Sequence, residues 1–209
     1  MSPNPHLALP ASSRWGGIGI LAAALVFAAA VFAAVNNAEA AYIWPENMIS
    51  DLGDSSCRVR GGRWICSPSY ALFNGGVIFA GVLMAISSLL VRARWGRMLS
   101  ASFAVMGVGL VVAGAFNAGD HPIIHLGGVI LALVVPAAGL MISGFKPETA
   151  WLSGNRQMRA VLGAVALVLC AESRLPQPFI PQGGGQVAIV ACVLVPLLVE
   201  AARLVRVSR

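Results

Sequence analysis

Charged side chains are scarce in this sequence. Asp, Glu, Lys and Arg together make up 11% of its 209 residues, which is less than half the share typical of a soluble domain. Hydrophobic residues make up 58% of the chain. A chain of this length and composition has room for several membrane spans and none for a large soluble domain besides. The composition therefore predicts an integral membrane protein.

Long blocks of basic residues are also missing, although 14 Lys and Arg outnumber 8 Asp and Glu. The basic residues lie between apolar runs, a pattern typical of a positive-inside bias and of attraction to anionic headgroups. The sequence also lacks a phosphate-binding P-loop and a dinucleotide fingerprint in a strand–helix context. Membrane lipid is therefore the predicted partner and nucleic acid is not. No protein partner is indicated.

Six apolar runs predict an all-α, polytopic transmembrane bundle. They cover residues 16–35, 70–91, 98–116, 123–142, 158–171 and 187–205. The fifth run is short for a span, and Pro136 and Pro196 predict breaks in the fourth and sixth. The expected organisation is a disordered cytoplasmic tail at 1–14 and a single six-helix domain at 15–207, with an outer loop at 41–69.

The distribution of basic residues predicts the orientation of the bundle. Ten Lys and Arg lie on the side of both termini, and four lie on the other side. The positive-inside rule then places both termini in the cytoplasm of a bacterial-type plasma or inner membrane. Ala38-Glu39-Ala40 resembles a signal-peptide cleavage site, but the long first run and its single flanking Arg favour an uncleaved first helix.

The four cysteines divide into two kinds. Cys170 and Cys192 lie inside apolar runs, as small hydrophobic residues do. Cys57 and Cys66 flank Arg-Gly-Gly-Arg in the outer loop, where a short hairpin would bring them together. A disulfide is expected if the loop faces an oxidising compartment. A zinc site is the alternative, but the loop contains no histidine to complete it.

Only three histidines occur in the chain, and two of them, His121 and His125, lie in the stretch from Asn117 to Gly128. Pro122 suits the first turn of a helix, which places His121 at the cap and lets Asp120 reach the free N–H groups of that turn. Residues four apart share a helix face, so both histidines are expected to point the same way. They form either a metal or acid–base site or a pair of interfacial rings bonded to loop groups.

Ser50 and Asp51 in the outer loop extend this candidate site. The catalytic set is Ser50, Asp51, His121 and His125, and the metal ligands are His121, His125, Asp51 and Asp120. Two imidazoles and a carboxylate bind zinc and leave a position for water, which the ion would acidify for attack on an ester or amide. The alternative is structural, with Ser50 or Asp51 capping a short loop helix.

Ile49-Ser-Asp-Leu-Gly53, Phe73-Asn-Gly75, Gly119-Asp-His-Pro122 and His125-Leu-Gly127 together resemble the bacterial and archaeal membrane family called domain of unknown function 998. The resemblance covers about residues 16–205. It implies a polytopic helical bundle of about this size and no settled activity.

A more distant likeness is to the membrane hydrolases that include alkaline ceramidases and the adiponectin receptors. Those proteins combine a Ser, an Asp and an H-x-x-x-H pair, with zinc held by three histidines. Ser50, Asp51, His121 and His125 are the same residue types. This chain has six predicted spans where those proteins have seven, and it has no third outward histidine.

Two functions of different classes follow, and the sequence does not decide whether the protein is an enzyme. The favoured one is a lipid-binding or accessory membrane protein, in which the polar residues fix the bundle. The alternative is a metal-dependent hydrolase acting on a lipid or lipid-linked substrate at the outer leaflet. A transporter ranks below both, because only the broken spans at Pro136 and Pro196 support it.

Overall fold

Long helices dominate the computed structural model, which describes residues 11–38 and 42–207. The helices are α1 (Ala11–Asn36), α2 (Tyr70–Leu90), α3 (Arg92–Ala115), α4 (Pro122–Val129), α5 (Val135–Phe145), α6 (Arg156–Glu172) and α7 (Gln182–Arg206). A π-helix (Ile130–Val134) joins α4 to α5, and 3₁₀ helices cover Ile49–Gly53 and Ala150–Asn155. Two short strands, β1 (Arg58–Arg60) and β2 (Arg63–Ile65), pair antiparallel. The prediction of a helical bundle is confirmed.

The predicted N-terminal features lie largely beyond the described ranges. His6, most of the predicted tail at 1–14 and the Glu39-Ala40 part of the cleavage-like motif belong to residues outside them. The last four residues of the predicted tail, 11–14, are described and form the first turn of α1. The first helix therefore begins a few residues before its apolar run.

Five helices in the described part of the chain are long and apolar enough to cross a membrane. They are α1, α2, α3, the combined segment Pro122–Phe145, and α7. Helix α6 has 17 residues, which at 1.5 Å per residue is somewhat shorter than the roughly 30 Å hydrocarbon core. The chain is thus a multi-pass membrane protein with one additional, shorter helix.

The fourth apolar segment changes its helical winding just before Pro136. Proline has no N–H to donate and its ring collides with the carbonyl four residues earlier. The preceding turn, Ile130–Val134, is a π-helix, the usual form of such an adjustment. A second break lies in α3 at Gly96, whose φ of 78° and ψ of 172° are not helical. Glu148 caps the helix beyond that break by accepting the Met98 N–H at 2.8 Å.

Two glycines let α3 and α4 approach closely. A Cβ on Gly109 would lie 2.6 Å from the Gly128 carbonyl oxygen, and one on Gly128 would lie 2.9 Å from the Gly109 carbonyl oxygen. Small residues at such positions allow backbones to meet. This contact holds the end of α4 against the C-terminal half of α3.

Residues 42–69 fold into a small structure, here called the loop cap, over one end of the bundle. Gly61 and Gly62 form the hairpin turn with φ values of 56° and 77°, which glycine adopts without steric cost. Cys57 and Cys66 form the predicted disulfide across this hairpin, with their Cα atoms 4.2 Å apart. The loop cap also joins α7, because the Gly184 N–H donates to the Pro45 carbonyl at 3.1 Å.

A buried ion pair fastens the opposite end of the bundle. The Arg159 guanidinium on α6 lies 2.9 Å from the Glu200 carboxylate on α7, and their side chains are 0% and 2% exposed. Arg159 also donates to the Ser143 hydroxyl on α5 at 3.1 Å and to the Leu152 carbonyl. Glu200 accepts a second salt bridge from Arg203 at 3.0 Å. Buried charges persist when they are paired and hydrogen-bonded in this way.

Candidate functional site

A cavity of about 70 Å³ lies under the loop cap and is here called the mouth cavity. The first turn of α4, the C-terminal part of α3, the start of α2, and α1 and α7 all contribute to its wall. Its polar lining consists of Ser50, Asn74, Asn117, His125 and Gln186, and the rest of the wall is apolar or glycine. That volume is several times what one water molecule needs.

A second, smaller cavity of about 30 Å³ adjoins the mouth cavity and is here called the deep cavity. The two share Phe27, Leu110, Leu133 and Val190 as common wall residues. The lining of the deep cavity is wholly apolar. Polarity therefore falls from the capped end of the bundle toward its interior.

His125 is the ionisable group in the lining of the mouth cavity. Its Nδ1 lies 3.0 Å from the Ala113 carbonyl oxygen and 2.9 Å from the Phe116 carbonyl oxygen. Helix α3 ends at Ala115, so carbonyls in its last turn have no partner within the helix. His125 supplies that partner. Its other ring nitrogen, Nε2, is buried and has no hydrogen-bond partner among the described residues.

His121 is in a different environment from His125. It occupies the cap position before α4 with φ of −132° and ψ of 61°, so the i, i+4 rule for a shared helix face does not apply to this pair. Its exposed ring packs edge-on against Phe116, with centroids 5.5 Å apart. The two imidazoles lie in different surroundings, and the expectation that both point the same way loses its basis, because it assumed that His121 is helical.

Ser50 and His125 both line the mouth cavity. Its backbone N–H donates to the Gln186 side-chain oxygen at 3.4 Å. Its hydroxyl reaches only the weak acceptor sulfur of Met48, at 3.9 Å. The hydroxyl is thus held loosely and is available to another partner at the cavity.

Asp51 is buried in the loop cap and pairs with two arginines of the hairpin. Its carboxylate lies 2.6 Å from Arg60 and 3.2 Å from Arg63. It also accepts the Met48 N–H at 2.9 Å, which caps the 3₁₀ helix. The capping interpretation of Asp51 is therefore the one that the geometry supports. Its charge also contributes to raising the pKa of Tyr42, after the larger effect of burial.

Asp54 plays a similar part and was not singled out from the sequence. Its fully buried carboxylate lies 2.6 Å from Arg58 and 3.5 Å from Arg60. The hydrogen bond to Asp54 raises the pKa of Arg58. Two buried acids thus pair with three arginines across the disulfide-closed hairpin.

Asp120 is exposed and bonds to side chains outside the helix that it was expected to cap. Its carboxylate accepts hydrogen bonds at 2.7 Å from the Asn117 side-chain amide and from the Ser55 hydroxyl. These two bonds lower the pKa of Asp120, the bond from Asn117 more strongly. The prediction that Asp120 caps α4 is wrong, because Asn117 and the loop cap engage the carboxylate instead.

The four predicted metal ligands lie in separate local environments. Asp51 bonds to arginines, Asp120 to Asn117 and Ser55, His121 to the Phe116 ring and His125 to carbonyls of α3. Within residues 11–38 and 42–207, no group of three or more His, Cys, Asp or Glu side chains is placed to hold a metal ion. The zinc site stays a prediction, and its geometry lends no support to a hydrolytic metal centre.

Gln186 and Gln182 on α7 are the site residues that the sequence did not reveal. Gln186 reaches Ser50 across 136 positions of sequence, and Gln182 accepts a hydrogen bond from Arg63 at 2.9 Å. The sequence gives only a weak indication that these two glutamines belong to the site. Both flank a Gly-Gly-Gly segment that suggests a flexible loop, whereas those glycines form the first turn of α7.

Comparison with known proteins identifies the chain at the level of a family. No curated protein and no solved structure is similar to it. Residues 20–203 match the family described as "Protein of unknown function (DUF998)". This span includes the mouth cavity, the loop cap and the buried Arg159–Glu200 pair. The match confirms the family suggested by the Ser-Asp-Leu-Gly and His-containing segments, and the chain belongs to the DUF998 family.

Proposed function

We propose that the protein is a six-span membrane protein that binds a slender amphiphile. Its polar head would lie under the loop cap, and its apolar tail would run between the helices toward the deep cavity. The observation that carries this proposal is the adjoining pair of cavities, which share part of their walls and are polar at the capped end and apolar beyond it. Apolar sites with a few placed polar groups are typical of small-molecule binding sites.

The charges around the mouth cavity favour an uncharged head group. Arg58, Arg60 and Arg63 are already paired with Asp51 and Asp54. The remaining polar lining consists of a hydroxyl, three carboxamides and one imidazole. Recognition of a phosphate or carboxylate favours cationic donors such as Arg, and the arginines here are committed to the loop cap.

The proposed topology counts α6 as the sixth span. Helix α6 is short, but Glu172 and Arg174 at its end suit the headgroup layer. Among the described residues, the end opposite the loop cap has nine Lys and Arg, and the capped end has four. The positive-inside rule then places both termini in the cytoplasm and the loop cap on the outer side of a bacterial-type plasma membrane.

Lipid analysis of the purified protein tests this function. The protein is extracted in mild detergent, and its bound lipids are compared by mass spectrometry with those of the bulk membrane. Val190→Phe fills the wall shared by both cavities, and Val195→Phe, at a position 47% exposed on the same helix, is the matched control. We expect one lipid species to be enriched in wild type and control and depleted in Val190→Phe.

Two outcomes would contradict the proposal. The first is a bound-lipid composition identical to the bulk membrane. The second is an enriched lipid that Val190→Phe leaves unchanged while that variant keeps its thermal transition. Either result places the lipid on the outside of the bundle.

A hydrolase is the second candidate, and the shared position of Ser50 and His125 at the mouth cavity favours it. An imidazole that holds its proton on Nδ1 leaves Nε2 free to accept the proton of a serine hydroxyl. Hydrolysis of lipid esters by wild type, lost in both Ser50→Ala and His125→Asn, would support this function. Activity that survives both substitutions would exclude it, and activity abolished by a zinc chelator would restore the metal-dependent version.

A further inference from the structure

We infer that the ligand of the mouth cavity presents a hydroxyl group that donates its hydrogen bond to Nε2 of His125. This inference rests on the proposed lipid-binding function and specifies the head group. It follows from three features of the mouth cavity. The proton of His125 lies on Nδ1, the buried Nε2 has no hydrogen-bond partner among the described residues, and carboxamide groups line the same cavity.

The tautomer of His125 is fixed by two carbonyl oxygens. Both lie within hydrogen-bond distance of Nδ1, at 3.0 and 2.9 Å. A carbonyl oxygen only accepts hydrogen bonds, so Nδ1 must carry the proton and donate to them. In the neutral ring, Nε2 then has no proton and presents a lone pair.

Nε2 is buried, and among the described residues it has no hydrogen-bond partner. A buried acceptor without a donor is unfavourable, and native structures satisfy nearly all such groups with protein or with bound molecules. His125 and Ser50 both line the mouth cavity, but the Ser50 hydroxyl bonds to the Met48 sulfur and not to Nε2. A molecule in that cavity is therefore an available source of a donor.

The neighbouring groups restrict that molecule further. The Asn117 carboxamide is occupied at both ends by Asp120 and by backbone N–H groups, and the Asn74 amide donates to the Gly53 carbonyl at 3.0 Å. The Gln186 side-chain oxygen accepts a hydrogen bond from the Ser50 backbone N–H. This leaves the Gln186 NH₂ as a donor at the same cavity.

A hydroxyl group on the ligand can bond to both Nε2 of His125 and the Gln186 NH₂. It donates through its hydrogen to Nε2 and accepts from the Gln186 amide through its oxygen. An ether, an ester carbonyl or a carboxylate only accepts and leaves Nε2 without a donor. The chemistry therefore points to a lipid alcohol, such as a long-chain alcohol or an acylglycerol with a free hydroxyl.

The experiment compares two ligands that differ only in this donor. Labelled 1-dodecanol is bound to the protein in nanodiscs and displaced by unlabelled 1-dodecanol or by its methyl ether, with empty nanodiscs correcting for partition into lipid. A neutral hydrogen bond corresponds to about a three- to tenfold preference for the alcohol. We expect that preference in wild type.

His125→Asn is the decisive variant. The Asn amide retains an N–H near the position of Nδ1, so it keeps a donor to the α3 carbonyls and removes only the Nε2 acceptor. We expect alcohol and ether to bind equally to His125→Asn. His121→Asn, at the exposed cap position, is the matched control and keeps the preference.

The possible results separate this inference from the proposed function. Equal binding of alcohol and ether to wild type, abolished by Val190→Phe, overturns the hydroxyl inference and leaves lipid binding standing. A preference that persists in His125→Asn also overturns it, because the hydroxyl then donates to a group other than Nε2. Failure of both ligands to bind, or binding that Val190→Phe does not change, contradicts the inference and the proposed function together.

Discussion

Arg159 and Glu200 form an ion pair of 2.9 Å between α6 and α7 with almost no access to solvent. Removing one member of such a pair leaves an uncompensated buried charge, which costs about 3–5 kcal/mol. We expect Glu200→Leu to lower the free energy of unfolding by about this amount, measured by equilibrium unfolding in detergent micelles. Arg156→Gln, on an exposed side chain of α6, is the control and should change it by less than about 0.5 kcal/mol.

The double variant Arg159→Met/Glu200→Leu removes both charges and separates the ion pair from simple packing. We expect it to be more stable than Glu200→Leu alone, because no unpaired charge remains. The contrary result is that Arg159→Met lowers the free energy of unfolding of Glu200→Leu by as much as it lowers that of wild type. That result would show that the two charges act independently.

The Cys57–Cys66 disulfide gives a test of both stability and orientation. Closing a loop of this length corresponds to about 2–3 kcal/mol in the chain-entropy description, so the Cys57→Ser/Cys66→Ser variant should unfold at a lower temperature by calorimetry.

The same cysteines test the orientation of the loop cap. In intact cells, an impermeable maleimide should label Cys57 and Cys66 only after external reduction. The Cys170→Ser/Cys192→Ser background removes the other thiols. Labelling that requires cell lysis would reverse the proposed topology.

The sequence was sufficient to predict the features that depend on local composition. The long predicted spans are helices because twenty or so apolar residues leave the backbone only internal hydrogen bonds in lipid. The disulfide was predictable because Gly61 and Gly62 allow the tight turn between Cys57 and Cys66. The break before Pro136 was predictable from proline chemistry, although its form as a π-helix was not. The break predicted at Pro196 is wrong, because α7 continues through that residue from Gln182 to Arg206.

The site depends on contacts between distant segments, and there the sequence was a weaker guide. Asp51 was grouped with the histidines, whereas the register of the hairpin brings Arg60 and Arg63 to its carboxylate. Gln186 meets Ser50 only because α7 returns to the loop cap. The buried Arg159 could not be distinguished from the solvated arginines near it, since its partners lie on α5 and α7.

Asp120 is expected to show a pH-dependent contribution to the stability of the loop cap. Hydrogen bonds from Asn117 and Ser55 lower its pKa in the folded state, so its stabilising effect is present above the unfolded pKa of about 3.9 and is lost as pH falls through the folded pKa. The difference in Tm between wild type and Asp120→Asn should be constant between about pH 5 and 7 and shrink below about pH 4. Glu46→Gln, on an exposed side chain of the loop cap, is the control. A Tm difference between wild type and Asp120→Asn that grows as the pH falls would contradict the stabilising role assigned to the Asp120 carboxylate.

Elemental analysis tests the metal-site prediction directly. Because no three potential ligands converge in the described part of the chain, we expect the purified wild-type protein to contain far less than one zinc per chain. His125→Ala should contain no less than wild type. One zinc per chain that is lost in His125→Ala would show that the histidines and acids rearrange around the ion, and it would favour the hydrolase over the lipid-binding protein.

The dual role of His125 predicts different stabilities for two substitutions at one position. His125→Ala leaves the Ala113 and Phe116 carbonyls without their donor, which costs about 1–3 kcal/mol for a buried group. His125→Asn retains an amide N–H for these carbonyls and should keep most of the wild-type stability, measured by thermal unfolding in the same detergent. His125→Asn also removes Nε2. If this variant is as stable as wild type but has an altered ligand preference, the structural bond of Nδ1 and the binding role of Nε2 are separate. Equal destabilisation by both substitutions would instead show that ring packing, and not the bond to α3, holds His125 in place.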